Sequence, residues 1–290
     1  MSIVDAHVHL YPAEVDRDPA AWAVAQGEAH WALLCTRTRK DGRRVQSLPT
    51  LAGLLAAMDA AGIARAVLLG WYWEKPDTCA WQNRFYAACV RAHPDRLSAF
   101  ATLHPRAGRE ATLEELRRAR GEGLIGVGEL SPHSQGYAAD DAVFGAVLEQ
   151  AGAWRMPVNL HVTDADSRRY PGWVETPVDD FVRLARRFPQ TTFVLAHWGG
   201  LLPLRDARFA ALANVYYDTA ASPLMYDASV WSRAVPALGA ERVLFGSDFP
   251  LNLYPRVAVE AEMVNFVGEA RAAGMSAEVL GGNAARILGL

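Results

Sequence analysis

Cysteine is scarce in this chain. Cys35, Cys79 and Cys89 are the three among 290 residues, an odd set without CxxC spacing, which argues against a disulfide framework and suits reduced thiols. Long apolar runs are missing too: none reaches the about 20 residues a membrane-spanning helix needs. The N-terminus enters a strand pattern without the charged and apolar regions of a secretory leader. A cytoplasmic protein with no membrane partner is therefore expected. Neither sign of charge dominates, with 29 Lys and Arg against 32 Asp and Glu and a net charge of -3, so nothing points to nucleic acid as a partner. No GxGxxG opens a helix after an early strand, which counts against a dinucleotide-binding sheet.

What the chain does have is a regular succession of short apolar runs of β type, at 2–10, 64–71, 97–105, 123–130, 157–163, 191–199, 214–221 and 242–250. Segments of helical spacing lie between them, such as Leu48, Leu51, Leu54, Leu55 and Met58 ending at Gly62, or Val143, Phe144, Val147, Leu148 and Ala151 ending at Gly152. Near-continuous apolar strands alternating with helices predict an α/β fold, a (β/α)8 TIM barrel, with 1–290 as one domain. Residues 11–47, after the first strand, exceed an ordinary βα loop and read as a lid-like insertion over the barrel mouth. Within it, Lys40-Asp41-Gly42-Arg43 resembles a hairpin turn between HWALLCTRTR and RRVQSL. Its basic residues Arg37, Arg39, Lys40, Arg43 and Arg44 suit either a solvated hairpin or attraction of an anionic substrate.

Polar residues end several of these strands. In SIVDAHVHL a period of two places His7 and His9 on one face with Asp5 and Ile3. Glu129 ends GVGEL, His161 ends NLHV, His197 stands in LAHWGG and Asp248 in GSDFP. Strand C-termini ring one mouth of a barrel, so these six converge, and all are metal-ligand types. Each alone suits a hydrogen-bonded core residue or a cap; as a set they predict a divalent metal centre, zinc first, manganese or iron as alternatives, with one or two ions. Asp248 and His197 are the candidate catalytic residues. Asp5 is assigned to support of this cluster and Asp218 to a cap. Trp71, Trp73, His104 and Trp198, with Tyr72, Trp22 and Trp31 nearby, are candidates to wall a small-molecule substrate.

The ordered set of HxH on strand one, His on strands five and six, and Asp within GSDFP resembles the amidohydrolase superfamily. LAHWGG, YYDTAASP and GGNAARILGL are similar to its amidohydrolase-related (amidohydrolase 2) branch. The resemblance implies a metal held by His7, His9, His161 and Asp248, with His197 on a second metal or the substrate. GVGEL is similar to the strand-four glutamate of TatD-like hydrolases, which implies Glu129 bridging two ions. The expected activity is metal-dependent hydrolysis of a small amide or lactone. Non-oxidative decarboxylation of an aromatic or unsaturated acid is the alternative, and a TatD-like nuclease the second. A homo-oligomer is compatible with all three.

Overall fold

A computed structural model of the protein describes residues 2–258 and 260–290. Eight parallel strands stand side by side in sequence order: β1 Ile3–Val8, β2 Ile63–Leu68, β3 Leu97–Ala101, β4 Gly126–Leu130, β5 Val158–Leu160, β6 Phe193–Leu195, β7 Val215–Asp218 and β8 Val243–Leu244. Hydrogen bonds from Ala6 N to Phe245 O (2.8 Å), Asp248 N to His7 O (2.9 Å) and His9 N to Phe249 O (2.6 Å) join the continuation of β8 to β1 and complete the ring. The fold is the expected TIM barrel. Its strands are rich in Val and Leu because both faces are buried, one inside the barrel and one under helices.

The helices begin and end where local chemistry dictates. Thr50 accepts the Gly53 N–H at the start of Leu51–Ala61, and Gly62 closes that helix at φ 69°. The helix Ala142–Ala153, opened by Asp141, runs through the expected stop at Gly152 before ending. Among the described residues no helix is long and apolar enough to cross a membrane.

The segment 11–47 differs from its sequence reading. It holds three short helices, Ala13–Arg17, Pro19–Gln26 and Ala29–Cys35, and the HWALLC arm expected as a strand is helical. Trp31 and Cys35, one helical turn apart, both enter an aromatic cluster with Tyr11 and Trp73, and that shared face favours helix over strand. Only the tip of the hairpin remains, a Thr38–Arg44 antiparallel bridge with Arg39 N bonded to Arg43 O at 2.7 Å. Hydrogen bonds as well as the aromatic cluster tie the segment to the barrel. The buried Glu28 carboxylate accepts the N–H groups of Glu74 (2.7 Å) and Lys75 (3.1 Å), and Gln46 bridges to Leu251 in the loop after Asp248.

Candidate metal centre

On β1 the period-two geometry turns both His7 and His9 toward the mouth, and their Nε2 atoms lie 3.1 Å apart. The opposite ring nitrogens are committed. His9 Nδ1 donates to the Leu69 carbonyl at 3.0 Å, and His7 Nδ1 donates to Asp218 Oδ2 at 2.9 Å. A carbonyl oxygen only accepts, so neutral His9 carries its proton on Nδ1 and presents an Nε2 lone pair to the site. Two imidazole lone pairs aimed at one point call for a cation between them.

Glu129 and Asp248 complete that side. Glu129 Oε2 stands 3.7 and 3.5 Å from the Nε2 atoms of His7 and His9, and Asp248 Oδ1 is at the same pair of distances. The other Glu129 oxygen, Oε1, faces His161 Nδ1 at 2.9 Å and His197 Nε2 at 3.5 Å, and these two nitrogens are 3.2 Å apart. One carboxylate thus lies between two imidazole pairs. The backbone that aims it needs glycine before it: a Cβ on Gly128 (φ 128°) would fall 2.5 Å from the Asn159 carbonyl oxygen.

His197 and Asp248 sit on left-handed backbone, at φ 58° and 66°. His197 begins a run of five such residues, continuing through Trp198 (59°), Gly199 (59°), Gly200 (59°) and Leu201 (54°). Left-handed helical backbone costs each non-glycine L-residue about 1–2 kcal/mol, so neighbouring contacts must impose this turn. Asp218 is one of them. Its Oδ1 accepts the N–H groups of His197 (3.0 Å) and Ala220 (3.1 Å), while Oδ2 takes His7 and Asn159 Nδ2 (2.9 Å). Rather than a simple cap, Asp218 orients His7 and anchors His197 together. Asp5 plays the supporting part expected of it, accepting His7 N at 3.1 Å and Ser247 N at 2.9 Å.

The electrostatics follow from these contacts. Burial opposes charge on every group, but His161, His197 and His7 hold the Glu129 carboxyl well below its usual range. Burial alone would lower His7; Asp218, then Glu129 and Asp248, outweigh it and raise the imidazole to about 10. His197 is also raised, because its burial is outweighed by Glu129 and Asp248, whereas burial prevails at His161 and lowers it.

The donor set fits a divalent cation. Bonds of about 2.0–2.2 Å to nitrogen and oxygen place neighbouring ligand atoms about 3.0–3.5 Å apart, close to the separations found here. Two overlapping groups have that spacing, His7–His9–Glu129 and Glu129–His161–His197. Asp248, within 3.7 Å of both β1 imidazoles, adjoins the first.

A cavity of about 860 Å³ opens above these groups. His9, Glu129, His161, His197 and Asp248 form its floor, and Trp71 and Tyr72, stacked with ring centroids 4.5 Å apart, form one wall. Other expected wall residues lie elsewhere. Trp73 is fully buried in the insertion's aromatic cluster and donates to Gln82 Oε1; Trp198 is buried against Trp231 and donates to Ser222 Oγ; His104 bonds the Gln135 carbonyl under the β3 loop. Past a strand's end the chain turns, and period-two reasoning no longer says which way a ring points. Of the five basic residues around the hairpin only Arg37 lines the cavity. Arg43 pairs with Asp41, Arg44 with Asp16, and Arg39 donates to the Pro255 carbonyl. The far wall, from Asp164 to Gly172 with Arg205 and Tyr226, carries no motif that sequence reasoning singles out.

Comparison with known proteins agrees with this fold. The Amidohydrolase family (Amidohydro_2) matches residues 4–290. Among curated proteins, no sequence matches the chain. Solved structures of similar fold include a 5-carboxyvanillate decarboxylase from Novosphingobium aromaticivorans complexed with manganese and 4-hydroxy-3-methoxy-5-nitrobenzoic acid (16% identity, TM-score 0.75, covering 100% of this chain and 96% of that one). A 2,6-dihydroxybenzoate decarboxylase from Rhizobium has 18% identity and a TM-score of 0.67, with 100% and 99% covered. A probable 2-pyrone-4,6-dicarboxylic acid hydrolase from Acinetobacter baumannii with citric acid bound has 16% identity and a TM-score of 0.64, with 100% of each chain covered. Identities this low establish a shared fold.

Proposed function

The chain belongs to the amidohydrolase family, and from that premise we propose that it is a metal-dependent hydrolase of a small carbonyl compound, an amide or lactone, that carries an anionic group. The observation that supports hydrolysis is the position of Glu129 between His7–His9 and His161–His197, which suits a pair of divalent ions. Zinc is the first choice for this nitrogen and oxygen donor set, with manganese or iron close behind. Bound there, the metal supplies Lewis acidity that eases deprotonation of water and polarises a carbonyl.

The chain's own residues then divide the remaining work. His7, His9, Glu129, His161, His197 and Asp248 would hold the ions, with Asp218 and the Leu69 carbonyl fixing the β1 imidazole tautomers. Asp248, whose side chain is 13% exposed against 2% for Glu129, is the carboxylate open to the cavity, so it is suited to accept the proton from water and return it to the leaving group. His197 would hold a second ion or, with a single ion, would donate a hydrogen bond to the carbonyl oxygen. Trp71 and Tyr72 offer a flat apolar face to the acyl group. Arg37 makes no side-chain hydrogen bond or ion pair among the described residues, and its buried Nε has no partner. A substrate carboxylate would satisfy it.

A second reading, decarboxylation of an aromatic acid, is favoured by the same Arg37 and aromatic wall, and by the substrates named for the decarboxylases of similar fold. The nuclease reading has no comparable support, since the cavity is of small-molecule dimensions. A panel of lactones and amides bearing a carboxylate, offered to zinc- and manganese-loaded protein, separates them. Ring opening with proton release for a lactone, or appearance of free amine for an amide, abolished by chelation, is expected. Release of carbon dioxide from aromatic acids with no hydrolysis would replace this reading by the second.

A further inference from the structure

Asp164 lines the far wall of the cavity and is none of the six candidate ligands, yet it is 4% exposed and both of its carboxylate oxygens are engaged. Oδ1 accepts from Arg205 Nη1 at 3.1 Å and from Asp166 N at 3.0 Å, and Oδ2 accepts from the Tyr226 hydroxyl at 2.8 Å. These partners come from different connections: Asp164 and Asp166 follow β5, Arg205 follows β6 and Tyr226 follows β7. The strand ends preceding those connections carry His161, His197 and Asp218.

The left-handed turn His197–Leu201 is held at its start by Asp218 and at Trp198 by Ser222. Its far end rests on Asp164. A Cβ on Gly200 would lie 3.1 Å from Val162 Cγ1, 3.2 Å from Asp164 Cα and 3.3 Å from Asp164 N, so the turn packs closely on the β5 connection at Val162 and Asp164 and glycine eases the approach. Arg205, four residues beyond the turn, then closes it onto the Asp164 side chain. On the other side Asp164 is three residues from His161, whose Nε2 faces Thr163 Oγ1 at 3.2 Å. The β1 imidazoles and Asp248 lie outside this bracing.

We propose that Asp164 is a positioning residue for the Glu129–His161–His197 half of the centre. With Arg205 and Tyr226 it presses the left-handed turn against the β5 connection, keeping His197 Nε2 3.2 Å from His161 Nδ1. The inference rests on the two-ion reading of the site. It makes the second ion, and not the first, depend on a hydrogen-bonded carboxylate that is not itself one of the six ligands.

The test is titration of metal-free, full-length protein with Mn²⁺ by calorimetry, with circular dichroism to monitor the fold. Wild type is expected to take two ions. Asp164→Asn is expected to bind the first with unchanged affinity and the second at least about tenfold more weakly, as for loss of a group that orients ligands. Tyr226→Phe keeps the carboxylate and removes one bond to it, so a smaller loss confined to the second ion is expected; this variant decides the matter if Asp164→Asn does not fold. Two ions bound with wild-type affinities in the folded variants, or an equal weakening of both ions as a general loss of stability would produce, overturns the proposal alone. A single ion in wild type overturns the two-ion reading and this inference with it.

Discussion

Asp218 and His7, 211 residues apart in sequence, meet at 2.9 Å inside the barrel, and the bond leaves His7 Nε2 facing the centre. The carboxylate also holds the backbone of His197, so one side chain serves both halves of the site. Asp218→Asn keeps the shape and removes the charge. Metal affinity is expected to fall about 10–100-fold with the fold retained; unchanged affinity by titration would show that Asp218 does not orient the ligand.

The raised pKa of His7 gives a pH dependence of definite sign. Burial lowers it, and Asp218, Glu129 and Asp248 raise it further, from 6.5 to about 10. In the metal-free protein the imidazolium's contribution to stability is complete below 6.5 and is lost as pH rises through about 10. An ion at Nε2 must displace that proton, so apparent metal affinity is expected to climb with pH, about tenfold per unit while one proton is released. Calorimetry at pH 7 to 8.5 in buffers of different ionisation enthalpy counts the protons; none released would contradict a protonated His7.

Arg37→Met removes a cavity guanidinium whose buried Nε has no partner among the described residues, and keeps most of its bulk. A charged hydrogen bond is worth about 1.5–3 kcal/mol, so KM for carboxylate-bearing substrates is expected to rise about 10–100-fold, with metal content unchanged. An equal effect on uncharged analogues would remove Arg37 from anion recognition.

Gly128→Ala is expected to destabilise the barrel, because the new methyl would fall 2.5 Å from the Asn159 carbonyl oxygen and φ 128° is unfavourable for alanine. Overpacking of this kind costs about 1–3 kcal/mol, a fall in melting temperature of several degrees for a chain of this size. An unaltered melt would mean that β4 can shift without disturbing Glu129.

The barrel is legible in the sequence because strands buried on both faces leave continuous Val- and Leu-rich runs, each bounded by a helix. The six candidate ligands are legible for the same reason: a polar residue at the end of an apolar strand stands out. Beyond the strand ends that legibility fails. The run 191–199 reads as one strand, yet β6 stops at Leu195 and a left-handed turn carries His197. Nothing local announces it, since Asp218 and Asp164, both distant in sequence, impose it. Trp73, His104 and Trp198 are misplaced because loop side chains obey tertiary packing, and Asp218 reads as a cap because its four hydrogen-bond donors come from β1, β5 and the turns after β6 and β7.

Crystals grown with Mn²⁺ or Zn²⁺ and measured at the metal's absorption edge test the central claim most directly. Two anomalous peaks are expected, about 3.5–4 Å apart, one beside His7 and His9 and the other beside His161 and His197, with the Glu129 carboxylate between them. Density at neither position, with the six side chains directed elsewhere, would contradict the account.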